Sequence, residues 1–265
     1  MAAVRIRQVE SFEDLQLASR LLDEIWGAAT PILPMRVLRA LHHAGAIVTV
    51  AEDDEGPLGA SVAFHGIRDG ERLLHSKVTG LKSRGRGAGV AAAMKLDQRR
   101  RALDLGIELI DWTFDPLVMR NAAFNLNKLG GVISAYEPDF YGPLDDDLNR
   151  GEASDRCVVD WRLNDDRVTT AIAHLDAGTR RDVDVSDAVR VLEANADGLP
   201  VRQEITGAEP ILAVGPTDIE ALRRADPAAA SAWRQAMRAT LCDRVGAGWR
   251  VVAVVNGAYL ALPPD

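Results

Sequence analysis

Apolar and polar positions along the first half of the chain switch between the two-residue period of strands and the longer period of helices. Residues 4–9 alternate as a half-buried strand, and Ser11 is the predicted N-cap of a helix with apolar residues at helical spacing. A second helix is predicted over residues 35–43. Three strands follow, over residues 46–52, 58–65 and 72–81.

A second group of elements surrounds a strongly apolar strand. A glycine-rich loop leads into a helix that continues to about residue 105, and residues 107–114 are apolar on both faces, which is typical of a central strand. A short helix over residues 119–129 and strands over 132–136 and 157–163 complete the group. The acidic run Asp145 to Asp147 is predicted to be a solvated loop.

The polar run Asn164 to Arg167 is the predicted boundary between two domains, 1–165 and 166–265. Residues up to about 200 show weak periodicity. Beyond them we predict strands over 201–205 and 210–214, helices over 218–224 and 228–245, and a hairpin that turns at Asn256-Gly257. This order is similar to that of the first sixty or so residues, which raises the hypothesis of a degenerate partial repeat. The final hairpin is a candidate homodimer contact.

Composition narrows the functional class. The chain has 265 residues, with 39 Asp and Glu against 31 Lys and Arg, and a formal net charge of −8. This acidic balance argues against a nucleic-acid partner, and no apolar run is long enough to span a membrane. The first residues lack the apolar core of a secretory signal, and two distant cysteines, Cys157 and Cys242, predict neither a disulfide framework nor a zinc site. We therefore expect a cytoplasmic globular protein without a metal.

The loop from Arg84 to Gly89 carries the clearest chemistry in the sequence. Its three glycines occupy alternate positions, so the backbone can approach a ligand closely and take positive φ. The helix that follows presents unpaired N–H groups and the positive end of its dipole, which suit a phosphate or pyrophosphate. Two common phosphate motifs do not fit: GxGxxG would need glycine at Val90, and GxxxxGK(S/T) is absent.

A longer pattern extends on both sides of this loop. Arg84, Gly87 and Gly89 match (Gln/Arg)-x-x-Gly-x-(Gly/Ala), and the segment Asn121 to Gly131 carries Lys128 and Gly130 in a Lys-x-Gly arrangement. These motifs, and the order of elements over about the first 60% of the chain, resemble the GCN5-related N-acetyltransferase (GNAT) superfamily. The segments that resemble a bacterial subgroup with a C-terminal extension are Leu74-His75-Ser76, Trp112 to Pro116 and Asn125 to Gly130.

The resemblance implies an α+β fold, in which a central mixed sheet is flanked by helices and is followed by a smaller C-terminal α+β region. It also implies that the protein binds acetyl-CoA or another acyl-CoA through its long strand, its glycine loop and the short helix. The residues at the matching positions are Thr79, Gly80, Leu81, Arg84, Gly85, Arg86, Gly87, Ala88, Gly89, Val90, Asn121, Asn125 and Lys128.

The resemblance further implies direct attack of a small-molecule amine on acetyl-CoA in a ternary complex. Backbone donors of the long strand, through residues 78–81, would stabilise the oxyanion. Many members use a tyrosine as the acid that protonates the departing thiolate, but this chain has Leu126 at that position. Tyr136, or water, is the candidate replacement.

Four other residues are candidates for the reaction or for the acceptor pocket. His75 lies on the long strand and is a candidate general base, although a strand histidine is often structural. Asp115 ends the central strand and could bind a cationic acceptor or serve only as a turn residue. Trp26 and Trp112 could form the wall of an acceptor pocket or belong to the core.

Two other functional classes compete with the acyltransferase. A GNAT fold that binds acyl-CoA without turnover, or acts as a regulator, is favoured by the leucine at position 126. A hydrolase is disfavoured because the chain has no GxSxG elbow and no HExxH motif.

Overall fold

The computed structural model describes residues 4–27, 30–142, 153–205 and 207–264, and these residues divide into two compact units. The first unit spans the described residues up to 112, and the second spans those from 113 onward. The acidic run Asp145 to Asp147, predicted as a loop, lies outside the described residues. The domain division at residue 165 stays a prediction.

The first unit combines strands and helices in the predicted order. Its elements are β1 (Arg5–Gln8), α1 (Phe12–Trp26), α2 (Met35–His43), β2 (Ile47–Asp53), β3 (Gly56–Arg68), β4 (Glu71–Leu81), α3 (Val90–Asp104) and β5 (Leu109–Phe114). The strands lie in the order β1-β2-β3-β4-β5. Neighbours are antiparallel except β4 and β5, which run parallel.

Helix α1 shows how local signals and packing agree in this unit. The backbone N–H of Asp14 donates to Ser11 Oγ at 3.1 Å, so the predicted cap is confirmed. Gly27 ends the helix in the left-handed conformation, with φ of 57°. Its apolar stripe packs on β2 and β3, and each side chain buried this way contributes about 1.5–3 kcal/mol. The cluster includes Leu15, Ala18, Leu22, Val48, Val50 and Val62.

The second unit contains the remaining elements. These are α4 (Met119–Ala123), one turn of π-helix (Phe124–Lys128), β6 (Val132–Glu137), β7 (Arg156–Arg162), α5 (Asp166–Asp176), β8 (Val189–Ala194), β9 (Pro200–Arg202), β10 (Ile211–Val214), α6 (Ile219–Ala225), α7 (Pro227–Gly246), β11 (Arg250–Val255) and β12 (Ala258–Leu262). Its strands lie in the order β7-β6-β11-β12-β10-β8-β9.

Two elements of this unit were not predicted, α5 and β8. Each carries little apolar signal, because α5 buries only Val168 and Ala171 and β8 buries only Val191 and Leu192. A periodic pattern needs several buried positions before it can be recognised. The sequence pattern therefore predicts no regular element in this segment, although the segment forms a helix and a strand.

The final hairpin is confirmed at its predicted turn. Asn256 and Gly257 take positive φ, 49° and 77°, as a two-residue turn of this kind requires. Strands β11 and β12 lie between β6 and β10, so both edges of the hairpin are already paired within the unit. A dimer contact through this hairpin, which stays a prediction, would therefore have to use a sheet face.

The two segments that the predicted partial repeat would relate differ in how their strands pair. Strand β1 pairs with the first strand of its hairpin, β2, whereas β10 pairs with the second strand, β12. A partial repeat, which also stays a prediction, would have to include that change of neighbour. The mixed strand directions and flanking helices confirm the predicted α+β fold class. Within the described residues, no helix combines the length and the apolar character that crossing a membrane requires.

Candidate functional site

The glycine loop of the first unit has the conformation that the sequence predicts. Ser83–Gly85 form one turn of 3-10 helix, and Gly87 and Gly89 then take φ of +80° and +79°. A Cβ built at Gly87 or Gly89 would meet no atom within 4 Å. The left-handed backbone, and not crowding, is therefore what favours glycine at these two positions. The loop from Arg86 to Gly89 is exposed.

Helix α3 begins directly at this loop, with Gly89 as its N-cap. No side chain in the described part of the chain caps its first turn, and no first-turn residue is acidic. The first N–H groups of α3 and the positive end of its dipole are therefore available to an anion in the loop. Val90, the first residue of the helix, is buried and anchors the turn against Leu58 and Met94.

The two loop arginines have partners within the first unit. Arg84 donates to the carboxylate of Asp53 and, at 3.2 Å, to the carbonyl oxygen of Gly56. Arg86 Nε donates to the carbonyl oxygen of Leu81 at 3.4 Å. The positive charge of the loop is thus held close to the backbone turn by contacts to neighbouring strands.

Strand β4 has an unpaired edge on the side of β5. The parallel ladder consists of the pairs Leu74–Ile110 and His75–Asp111, and within the described residues it does not continue along β4. The register against β3 shifts at Lys77, which is a bulge in β4. Among the described residues, the buried Oγ1 atom of Thr79 has no hydrogen-bond partner. This part of β4 therefore presents the Thr79 hydroxyl and backbone groups that do not pair with β5 within the described residues.

Gly80 lies in the same segment and contacts Trp26. A Cβ at Gly80 would collide with the Trp26 ring, so glycine is needed there for close approach. Trp26 also packs against the apolar cluster of α1. Trp112 is only 5% exposed, and its ring lies 3.8 Å from Lys95 Nζ. The proposed acceptor-wall role of both tryptophans stays a prediction.

His75 is joined to two charged residues on neighbouring strands. Its Nδ1 lies 2.8 Å from Asp111 Oδ1, and Arg68 donates to Asp111 Oδ2 at 3.2 Å. The Phe64 ring packs at 5.1 Å from the imidazole, between centroids. The Asp111 side chain is 10% exposed, whereas the His75 side chain is 22% exposed. The imidazole is therefore held on one side and accessible on another.

A buried polar chain runs beneath α3. Lys95 Nζ donates to Ser76 Oγ at 2.9 Å, and Ser76 donates to Gln98 Oε1 at 3.0 Å. Gln98 Nε2 donates to Ser61 Oγ at 3.1 Å, and Ser61 shares a 3.0 Å hydrogen bond with Thr49. Burial lowers the pKa of Lys95 to about 7, and the charge of Asp111 opposes that shift.

The predicted coenzyme residues of the short helix lie in the second unit. Asn121 and Lys128 are exposed, and Asn125 is buried. Leu126, at the position where the GNAT resemblance implies a tyrosine, is fully buried. The lysine ends the π-helical turn, where the helix stops.

Tyr136 is bound to a buried carboxylate of the same unit. Its hydroxyl donates to Asp155 Oδ2 at 2.8 Å, and Arg238 Nε donates to the same oxygen at 2.9 Å. Burial raises the pKa of Tyr136 far above its usual value, and the nearby charges of Cys157 and Asp155 act in the same direction. The phenol therefore keeps its proton and shares it with Asp155. Its role as the acid stays a prediction.

Asp115 forms a buried ion cluster in the second unit. Arg234 binds both of its oxygens, at 2.9 and 3.0 Å, and Arg223 binds Oδ2 at 2.6 Å. Burial opposes ionisation, but the charges and hydrogen bonds of Arg234 and Arg223 outweigh it and hold the pKa of Asp115 far below its usual range. Both oxygens thus have partners within the unit, and an acceptor-binding role stays a prediction.

Comparison with known proteins adds structural neighbours only. No protein-family model and no curated protein matches the chain. The Streptococcus mutans UA159 protein smu.2055 is 12% identical, with 60% of this chain and 99% of that one covered at a TM-score of 0.50. An N-acetyltransferase from Staphylococcus aureus Mu50 is 12% identical, with coverages of 62% and 100% and a TM-score of 0.49. A GNAT family acetyltransferase from Elizabethkingia anophelis with acetyl-CoA bound is 12% identical, with coverages of 60% and 97% and a TM-score of 0.45.

The order of elements decides the fold. The elements follow the order that the resemblance implies. Strand β1 is followed by two helices, by the antiparallel strands β2, β3 and β4, by the glycine loop with α3, and by β5, which runs parallel to β4. The chain has the GNAT fold. At these identities the structural likeness concerns the fold alone.

Within this GNAT fold, the polar residues joined to His75 and Ser76 were not predicted from sequence. Asp111 and Lys95 are the main examples, and each is nearly buried. One signal was present, since a carboxylate stands in an otherwise apolar central strand, Ile-Asp-Trp. Buried charges are costly unless paired, so such a residue indicates a partner without naming it.

Proposed function

We propose that this chain is a coenzyme A-dependent N-acyltransferase that transfers an acyl group, acetyl in the first instance, directly to the amine of a small molecule. The observation that carries the proposal is the exposed loop in which Gly87 and Gly89, both left-handed, lead into the uncapped N-terminus of α3. Such a turn presents backbone N–H groups to a pyrophosphate, and no side chain competes for them.

The unpaired part of β4 suits the rest of the ligand. A pantetheine arm carries amide groups that can pair with a strand edge, and an acyl-CoA supplies an acyl group activated as a thioester. Thr79 Oγ1 is buried and unpartnered, so it would gain a hydrogen bond from a polar group lying along β4. Backbone N–H groups of residues 78–81 are the donors we assign to the carbonyl oxygen of the acyl group.

His75 is the base that we assign to the acceptor amine, because its imidazole is partly exposed where β4 and β5 part. The proton for the departing thiolate comes from water in this proposal. Leu126 offers no proton, and the hydroxyl of Tyr136 already donates to Asp155. The two reactants must be held together for the amine to attack, which is the contribution of the binding surface itself.

A second function is favoured by one observation. Leu126 is fully buried where the family has a tyrosine, so the usual acid is missing. The alternative is a GNAT fold that binds acyl-CoA as a non-catalytic or regulatory module. Both functions require the glycine loop to bind coenzyme A, and only the first requires release of thiol.

Calorimetric titration of acetyl-CoA tests the shared requirement. Gly89→Asp places a carboxylate where the pyrophosphate would bind and should weaken binding by about 100-fold. Gly106→Asp is the matched control, because Gly106 also has a positive φ, +67°, and no atom within 4 Å of a Cβ, but follows the other end of α3. The control should bind like wild type.

Three results separate the possibilities. A wild-type protein that binds neither acetyl-CoA nor free coenzyme A would show that both functions are wrong. Equal loss in the two aspartate variants would mean that the glycine loop is not the binding site. If wild type binds, free thiol is then measured with a panel of small amines: release supports the acyltransferase, and binding without release supports the module.

A further inference from the structure

His75 occupies the last paired position of the β4–β5 ladder. In the parallel register it lies directly opposite Asp111, and the next residues of β4 have no partner on β5 within the described residues. The imidazole therefore lies at the point where the two strands separate. A side chain at this point can reach a group bound along the unpaired part of β4.

The contacts of Asp111 leave its carboxylate little freedom. One oxygen lies 2.8 Å from His75 Nδ1, and the other accepts from Arg68 at 3.2 Å. Asp111 is 7% exposed, so the carboxylate is largely shielded from water. An ionised carboxylate accepts hydrogen bonds and does not donate them, so the proton of a neutral His75 must lie on Nδ1. The other nitrogen, Nε2, is then free to accept a proton.

We propose that Asp111, held by Arg68, is a positioning residue that fixes His75 in the tautomer in which Nε2 is the general base for the acceptor amine. This inference rests on the proposed acyltransferase function and deepens it. Asp111 does not touch the reacting atoms; it acts through the imidazole.

The amine nitrogen forms a bond to the acyl carbon, and the carbon–sulfur bond breaks with its electron pair leaving on sulfur. The amine proton passes to Nε2 of His75, while Nδ1 keeps its own proton and donates it in a hydrogen bond to Asp111. Water supplies the proton that the thiolate takes up, and the imidazolium returns its proton to water. No oxidant or reductant is needed.

The surroundings of Asp111 favour this role over a purely structural one. Its strand is apolar on both sides of the aspartate, with Ile110 and Trp112 buried. An apolar residue at this position would avoid the cost of burying a charge. The charge is matched instead by a histidine whose other side is open and by an arginine that holds the second oxygen.

Nitrogen-15 NMR tests the tautomer without any assay of activity. Long-range proton–nitrogen spectra of wild type, at a pH where the imidazole is neutral, should show Nδ1 protonated and Nε2 unprotonated. The His75 signals are those lost in His75→Gln. In Asp111→Asn the amide can donate to Nδ1, so the proton should move to Nε2.

Kinetics then test the consequence. Asp111→Asn should lower kcat by about 100- to 10,000-fold, the usual contribution of a general base, with KM within about threefold of wild type. Asp104→Asn is the control for charge, because Asp104 is exposed on α3 and pairs only with Arg100 among the described residues. It should leave both constants unchanged.

The outcomes separate the inference from the function beneath it. If wild type releases thiol but carries its His75 proton on Nε2, the inference is overturned and the proposed function stands. The same holds if Asp111→Asn changes KM and leaves kcat alone. If wild type releases no thiol with any amine, the base role falls together with the proposed function. Should Asp111→Asn fail to fold, the wild-type spectrum still decides the tautomer.

Discussion

Replacing Lys95 by methionine should change how the stability of this protein depends on pH. Lys95 is 5% exposed and donates to Ser76, and burial lowers its pKa from 10.5 to about 7. Between those two values the unfolded chain holds a proton on this lysine that the folded protein has lost. Stability must therefore rise with pH across that window, because the unfolded state binds more protons.

The size of the rise follows from the shift. With a pKa of about 7 in the folded protein and 10.5 in the unfolded chain, Lys95 lowers the free energy of unfolding by about 5 kcal/mol well below pH 7. This penalty is about 2 kcal/mol smaller at pH 9 than at pH 7. Wild type should therefore gain about 2 kcal/mol of unfolding free energy between pH 7 and pH 9 from this one group. Lys95→Met keeps the apolar stem and removes the titration, so this gain should vanish.

Urea unfolding at pH 7, 8 and 9 measures the effect, with tryptophan fluorescence and circular dichroism followed together. Other groups titrate in the same range: burial raises the pKa of the Cys157 thiol, which lowers stability as the unfolded thiol ionises. That contribution is common to both proteins and cancels in their difference. Lys82→Met, at a half-exposed lysine paired with Glu24, is the control and should keep the wild-type slope. Equal slopes for wild type and Lys95→Met would refute the reasoning.

Two further predictions concern stability in the second unit and at the end of α3. Gly130→Ala should lower the unfolding free energy by about 3 kcal/mol, because φ is +76° and a Cβ would lie 2.8 Å from a backbone oxygen. Gly106→Ala, with a similar φ of +67° and open space, should cost only about 1 kcal/mol; equal costs in urea titrations would contradict this. Asp115→Asn should cost about 3 kcal/mol, because it removes the carboxylate bound by Arg223 and Arg234. Because the folded pKa is lowered, wild type should keep this contribution above the usual aspartate pKa of 3.8 and lose it progressively as the pH falls from there towards the lowered folded pKa. Unfolding curves at pH 7 and pH 4 that gave Asp115→Asn wild-type stability would contradict the ion cluster.

Features governed by neighbouring residues could be predicted well. The glycine loop is one, because a left-handed backbone is a local steric property and Gly87 and Gly89 satisfy it wherever the loop lies. The cap at Ser11 and the turn at Asn256-Gly257 are others, since each involves residues at most three apart. The predicted bounds of helix α2 agree with the observed ones, because the start and end signals of a helix also lie close to its ends in sequence.

Features that depend on distant partners could not be predicted. His75 was a candidate base from its place in a strand, but Asp111 lies 36 residues away and meets it only through the register of two parallel strands. Asp115 is a candidate for binding a cationic acceptor because of its place at a strand end. In the structure Arg234, 119 residues further on, binds both of its oxygens. Neither partner leaves a periodic signal of its own.

By itself, the sequence determined the order of strands and helices apart from α5 and β8, the glycine positions of the turns and the loop that suits a phosphate, because these follow from steric preferences and hydrophobic period over a few residues. Only the tertiary structure decided which charges are buried, which are paired and which side of His75 is open. The physical reason is that desolvation and hydrogen bonding depend on what lies within a few ångströms in space, and the chain brings those groups together only when its strands pair.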